Sequence, residues 1–443
     1  MKEWATVAIG KTKTQFIDGD RSKRYPKRSE YVDDGVMFLN AEAINTGVIR
    51  KDRVNYVSES KYAEIKKGRI RRDDILLTTR GNGIGDAAFV NIDDRGLTNA
   101  QMLILRSDPN ELCPRFLYYY FATDTLRAYI HNFASGSAQP QLPIRDLKKI
   151  PVSFPDIETQ RSIAGVLSAY DDLVALNQQR ITLLESLAEE LYREWFVRFR
   201  FDGYRQTAFE KGIPKDWSQY CFREIVEFYI GGGWGEDEVS SNFSDPGFVI
   251  RGTDIAKIGN GNLSEIPFRY HKPSNLKKRR LQPYDFVFEV AGGSKGQLLG
   301  RNLMVSEEII QYLGSPVMCA SFCKQIRFNQ SVVSPLFMKY YLKLFHRCGL
   351  AGIFQVQSTG ISNYQFESFL NFQKLHIPLL SLQRQFEDFV RPIIEKQDCL
   401  LLANINLRET QKLLSKRLLS GKLSVNEITE SAGAGFNSEL VHA

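Results

Sequence analysis

The strongest constraint on this chain is an internal repeat: most of its length is written twice, so it must fold as two similar bodies rather than one. Trp4 pairs with Trp217 and Gly19 with Gly232 at an offset of 213 residues, and Gly35 with Gly247 at 212. At 211 come Lys66-Lys67 with Lys277-Lys278, Arg69 with Arg280, Asp74 with Asp285, Gly81 with Gly292, and Gly85 with Gly296. Pro114-x-Phe116-x-x-Tyr119-Tyr120 returns as Pro335-x-Phe337-x-x-Tyr340-Tyr341 at 221, a ten-residue insertion in the second copy, and the offset then settles at 223.

At that last offset lie two long heptad patterns. Ile163, Leu167, Tyr170, Val174, Asn177, Ile181, Leu184, Ala188, Leu191 and Trp195 recur in alternating steps of four and three, which predicts one apolar seam on a helix. The second copy reads Phe386, Val390, Ile393, Gln397, Leu400, Asn404, Leu407, Gln411, Leu414 and Leu418. Two copies of one seam predict that the helices pair with each other. Asn177, Gln397, Asn404 and Gln411 support this, because polar seam residues set register in a paired coil. Each helix is expected to follow an Ile-Pro entry, Ile150-Pro151 and Ile377-Pro378, with Pro155 aligned to Pro378 and Gln160 to Gln383. Pro392 falls inside the second pattern, where a missing N–H and a ring clash predict a kink.

Between the helices, short β-branched and aromatic runs alternate with Gly, Asn and Asp turns: Gly35–Leu39, Ile75–Thr79, Phe248–Ile250 and Phe286–Phe288. The expected fold class is α+β: two mixed α/β modules in tandem repeat, separated and followed by long helices forming an antiparallel coiled coil. The expected boundaries are 1–155 for the first module, 156–200 for the spacer helix, 201–380 for the second module, 381–424 for the C-terminal helix and 425–443 for a flexible tail.

The chemistry of catalysis is thin. No Pro-Pro dipeptide occurs, so the Asn/Asp-Pro-Pro-aromatic loop with which adenine methyltransferases hold the target base is missing. Pro155-Asp156 opens like a nuclease core but has no Glu-x-Lys behind it. Gly81-x-Gly83-x-Gly85 is not a dinucleotide fingerprint, and there is no Gly-Lys-Ser/Thr phosphate loop. The five histidines form no metal-type pair, and Cys319 and Cys323, spaced unlike a zinc ribbon, are read as facing one side of an apolar strand. With 43% hydrophobic and 25% charged residues, and no apolar run of membrane-spanning length, the expectation is a globular, cytoplasmic protein without a membrane partner.

Binding chemistry is better represented. Lys66-Lys67, Arg69, Arg71 and Arg72 form a basic run, matched by Lys277-Lys278-Arg279-Arg280. Each is followed by a strand and a glycine turn carrying one cation, Arg80-Gly81 and Gly292-Gly293-Ser-Lys295. The runs are candidate phosphate contacts, and Arg80 and Lys295 candidate base readers. The same glycines are equally what a hairpin turn requires. The paired tyrosines, on helices led by proline, fit a core better than a stacking platform. Arg21-Ser-Lys-Arg24 has an acidic counterpart in Gly235-Glu-Asp-Glu238, so the two modules are expected to read different targets.

Taken in order, these features resemble the specificity subunit of type I restriction-modification systems. The resemblance is carried by Gln160-Arg-Ser-Ile163-Ala-Gly-Val-Leu167, Asp171-Asp172-Leu173, Asn177, Arg180-Ile181, Leu183-Leu184-Glu185, Arg193-Glu-Trp-Phe-Val197, Leu418-Leu-Ser-Gly-Lys-Leu423, and Asp74-Ile-Leu with Thr79-Arg80-Gly81. It implies a non-catalytic subunit that binds double-stranded DNA, each module being a target-recognition domain for one half of a split sequence. It implies that the helices hold two modification subunits, and that restriction subunits join them. S-adenosylmethionine, ATP and magnesium belong to those partners; none is expected on this chain. The coil and docking residues are expected among Ile163, Leu167, Asn177, Leu184, Glu189, Arg193, Trp195, Val390, Asn404 and Leu414. The alternative is a coiled-coil scaffold that binds only protein.

Overall fold

The structure is a computed structural model that describes residues 4–44, 47–81, 83–134, 141–259, 261–292, 296–357 and 361–428. The chain divides into two compact units, Met1–Asp172 with Arg408–Ala443, and Leu173–Leu407. Each unit takes one module together with part of both long helices.

The repeat is a repeat of topology. In the first unit an antiparallel sheet runs in the order Gln15–Asp18, Met102–Arg106, Ile75–Thr78, Ala87–Phe89. In the second the order is Val226–Gly231, Cys323–Phe328, Phe286–Glu289, Asn302–Met304, again antiparallel. Beside each lies a mixed sheet in which one parallel pair recurs, Val36–Leu39 with Gly96–Thr98 and Asp245–Ile250 with Val317–Cys319. The apolar runs form these strands because both faces are covered: all four residues of Val36–Leu39, Ile75–Thr78 and Phe286–Glu289 are buried. Cys319 and Cys323 lie on two different strands, Val317–Cys319 and Cys323–Phe328, which corrects their reading as one strand.

A short antiparallel ribbon, Ala5–Ala8 with Pro151–Phe154, returns as Ser218–Cys221 with Lys374–Ile377. Those strands align Pro155 with Pro378, so Ile150-Pro151 sits one strand earlier than Ile377-Pro378 and is not its counterpart. Gln160 and Gln383, both buried, make matching clamps. Gln160 accepts from the Cys113 N–H at 2.8 Å and donates to the carbonyls of Glu111 and Pro155 at 3.2 and 2.9 Å. Gln383 accepts from the Ser334 N–H at 2.7 Å and donates to those of Val332 and Pro378 at 3.1 and 2.8 Å. Each clamp ties the start of a long helix to the start of a proline-led helix, Pro114–Phe121 or Pro335–Arg347, where proline at the first position supplies a pre-set φ. Tyr119 and Tyr340 on these helices are core residues.

The long helices run Ile157–Phe196 and Leu380–Leu418. The second is unbroken at Pro392, whose ring is exposed, so the missing N–H is accommodated within a continuous helix. Every predicted seam residue is buried or half-buried. Within the second unit, Asn177 Nδ2 donates to Asn404 Oδ1 at 2.9 Å, and Gln397 Nε2 donates to the Ile181 carbonyl at 3.2 Å. Residue numbers rise on one helix as they fall on the other, so the pair is antiparallel. In the first unit, Gln411 Nε2 donates to the Leu167 carbonyl at 2.8 Å and to Asp171 at 2.7 Å.

Two carboxylates beside the seam in the second unit are pushed in opposite directions. Burial raises the Asp398 carboxyl to about 6, with the charge of Glu308 adding and a Ser306 hydrogen bond and Lys339 opposing. Burial also acts to raise Glu185, but Lys339 and Lys343, with the hydrogen bonds of Lys343 and Gln397, hold it down at about 2. A carboxyl raised in the fold binds its proton more tightly folded than unfolded. Asp398 therefore contributes stability below about pH 4 that is lost as pH rises through about 6. Asp398→Asn should raise stability at neutral pH by up to about 3 kcal/mol and make no difference near pH 4. Urea denaturation of both proteins at the two pH values is the measurement.

Candidate nucleic-acid interface

The basic run of the first module leaves the short helix Glu59–Glu64, whose first turn is capped by the Ser58 hydroxyl, and ends at the buried Asp74. Asp74 fixes the run from below: its carboxylate accepts the Arg71 N–H at 2.7 Å and the Arg106 guanidinium twice, at 2.7 and 2.8 Å. Asp285 repeats this with the Gln282 N–H at 2.7 Å and Arg327 at 2.7 and 2.8 Å. Directly before them, Asp73 and Tyr284 are both left-handed, φ 69° and 70°, a conformation held here by the anchored carboxylate that follows.

On that anchor the predicted cations separate into two kinds. Lys66, Lys67 and Arg71 are exposed. Arg69 turns inward, donating to the carbonyls of Ile65 and Tyr62 at 2.8 and 2.7 Å and stacking on the Tyr62 ring at 4.3 Å. These donors serve the fold. Arg72 is exposed but forked onto Asp93 at 2.6 and 2.7 Å. Arg80 is half-buried, in a bridge with Gln141, and Gly81 beside it has φ 86° with open space around it. In the second module Lys277, Lys278 and Arg280 are exposed at the end of the helix Pro273–Arg279. Arg279, like Arg69, is spent within the fold, on the Gly231 carbonyl at 2.9 Å and on Asn275 at 3.0 Å. Lys295 lies outside the described residues.

The structure joins what the sequence keeps apart. Lys66 and Lys67 share a concavity of about 550 Å³ with Arg21, Lys23 and Arg24, from a loop some forty residues earlier. Asp20 at its base accepts the Ser22 N–H at 2.6 Å. Burial pushes its carboxyl up, but the Ser22 hydrogen bonds and the charges of Lys67 and Arg24 leave it below the usual carboxylate range. Gly19 is required beside it, because a Cβ there would meet the Asn99 carbonyl at 2.2 Å. The basin is thus held open by backbone packing and floored by an ionised carboxylate, and its rim is cationic.

The helix residues also sort into two kinds. Ile163, Leu167, Asn177, Leu184, Trp195, Val390, Asn404 and Leu414 pack inward. Glu189 is 6% exposed and ion-paired to Arg193 at 2.9 Å, Arg347 at 2.6 Å and Lys343 at 3.4 Å. Glu189, expected to face a partner, instead ties the long helix to Pro335–Arg347, while Arg193 pairs along its own helix with Glu189 and with Glu190 at 3.7 Å. What faces outward is a leucine row, Leu173, Leu176, Leu183 and Leu187, with Leu183 70% exposed. Burial pushes the Cys319 thiol up to about 12. Among the described residues no cluster of His, Cys, Asp and Glu has the arrangement of a metal site, and no helix is long and apolar enough to cross a membrane.

Residues 1–186 match the family described as type I restriction modification DNA specificity domain. The chain is 30% identical over 171 residues to the type I restriction enzyme MjaIX specificity subunit of Methanocaldococcus jannaschii, covering 37% of this chain and 38% of that one. It is 26% identical over 218 residues to the HindI specificity subunit of Haemophilus influenzae, covering 48% and 47%. The matched regions thus span less than half the length of these relatives. Among solved structures, the type I system S subunit from M. genitalium aligns with a TM-score of 0.54 at 14% identity, covering 94% of this chain and 96% of that one, a likeness of fold.

Glu189→Ala should leave Lys343 and Arg347 without their shared carboxylate and destabilise the second unit by about 2 kcal/mol. Lys66→Ala, at an exposed side chain, should leave the urea midpoint unchanged. Equal midpoints for the two variants would count against Glu189 as a structural tie.

Proposed function

We propose that this chain, whose first 186 residues match the type I restriction modification DNA specificity domain family, is the DNA-recognition subunit of a type I restriction-modification complex. The observation that carries the reading is the duplicated exposed lysine pair, Lys66-Lys67 and Lys277-Lys278, each set on the same scaffold just before the buried Asp74 or Asp285. Two copies of one fold, each presenting cations at one place, suit a split target read half by half. The lysines neutralise phosphates and position each module; Arg80, beside an open glycine, approaches a base edge. Among the described residues no catalytic constellation accompanies them. Base methylation, with S-adenosylmethionine, belongs to two modification subunits, and cleavage with ATP and magnesium to restriction subunits.

The modification subunits dock on the outward leucine row of the central helix. A helix apolar on its seam and again on its outer face has a second surface to bury, and side chains as exposed as Leu183 and Leu187, at 70% and 58%, supply it. Adjacent leucines at Leu183-Leu184, one for each face, are the trace of this in the sequence.

For the full chain on a mixed-sequence duplex, the logarithm of affinity should fall linearly with the logarithm of salt concentration. Lys66→Ala with Lys67→Ala should flatten that slope by about one unit for each phosphate no longer neutralised. A protein-only scaffold shows no such slope. Leu183→Asp with Leu187→Asp should abolish co-purification with a modification subunit while leaving duplex binding unchanged; intact assembly would move the docking face elsewhere.

A further inference from the structure

Because the two modules share one strand order, the loop after Gln15–Asp18 and the loop after Val226–Gly231 hold the same position in their own units. Both open on a glycine crowded by backbone. A Cβ on Gly19 would lie 2.2 Å from the Asn99 carbonyl oxygen, and one on Gly232 would lie 2.1 Å from that of Ala320. The loops that follow are opposite in charge. The first presents Arg21, paired with Asp18 at 3.0 Å, and Lys23 and Arg24, which line the basin together with Lys66 and Lys67. The second presents Trp234, Glu236, Asp237 and Glu238, all exposed.

The acidic loop is as well fixed as the basic one. Glu236 and Tyr270 exchange backbone hydrogen bonds of 2.9 Å each way, which pins the loop to the strand Phe268–His271. Asp237 pairs with Arg269, whose guanidinium also lies over the Trp234 ring at 4.5 Å, so the nearest cation is already neutralised. Glu236 and Glu238 lie exposed beside it.

We infer that the two modules engage the duplex backbone unequally: the first seats phosphates in the Arg21–Arg24 basin, and the second keeps phosphates away from the equivalent loop. The inference rests on the DNA-recognition reading above and adds which surface does the work. A cation held at a phosphate releases condensed counterions, each neutralised phosphate adding about 0.9 to the salt slope. A carboxylate in the same place repels the phosphate and contributes nothing. Most of the salt dependence of binding then comes from the first module.

The test uses the full chain on a mixed-sequence duplex of about 30 base pairs, with affinity measured across a salt series. Arg21→Gln, Lys23→Gln and Arg24→Gln together should flatten the slope by about two to three units; these side chains are exposed, and the thermal midpoint reports that the fold is kept. Glu236→Lys with Glu238→Lys should do the reverse, steepening the slope by about one to two units. A steep wild-type slope that the glutamine triple leaves unaltered, or that the lysine pair fails to steepen, overturns the unequal engagement and leaves DNA recognition standing. A wild-type chain whose binding is flat in salt overturns DNA recognition itself, and this inference with it.

Discussion

Buried amides on the seam of the long helices decide how this chain can be arranged. Leucine at Asn177 and Asn404 would pack as well or better in a coil, but leucine accepts many registers. The Asn177–Asn404 hydrogen bond of 2.9 Å, with both residues nearly inaccessible, satisfies these amides in one alignment only, since any slip leaves them buried and unpaired. Gln397 on the Ile181 carbonyl adds a second check four residues along, and Gln411 on the Leu167 carbonyl makes the corresponding contact within the other unit. These groups exchange some stability for a defined register.

The modules in turn depend on what their two copies hold in common. In each, one buried aspartate gathers an arginine fork and a backbone N–H, and one buried glutamine ties two helix starts together. Removing one partner of such a set strands a buried charge or donor, so these residues tolerate little change, whereas exposed loops carry no such penalty. The charged loops show such a difference: Arg21–Arg24 in one module corresponds to Trp234–Glu238 in the other.

Much of this was legible in the sequence. The repeat was visible because glycines, prolines and aspartates at its fixed points are there for backbone and burial reasons that survive divergence. The strands at Ile75 and Phe286 and the helix seam followed from periodicity. Less legible was the fate of individual cations. Arg69 and Lys66 stand three residues apart in one basic run, yet one is folded onto the Tyr62 carbonyl and the other is exposed; a run of charge does not say which side chain the scaffold will use. Nor did the sequence show that Arg21–Arg24 and Lys66-Lys67 share a basin, because that depends on strands distant in the chain lying side by side.

Glu189 and Leu183 show why charge was the wrong guide to the outer face of the central helix. Long polar side chains at helix positions read as solvent contacts, but Glu189 has three cations around it and is buried among them, so its charge stabilises an internal junction. The leucines do the opposite. A helix that met only water on that side would lose nothing by carrying Lys or Gln at Leu173, Leu176, Leu183 and Leu187, and would avoid the association an exposed apolar row invites. Their spacing of three, seven and four residues keeps them on one face. The same helix buries a continuous seam on its other side, so its apolar content exceeds what the pairing with Leu380–Leu418 uses. On the proposed reading, that surplus is what a docked modification subunit covers.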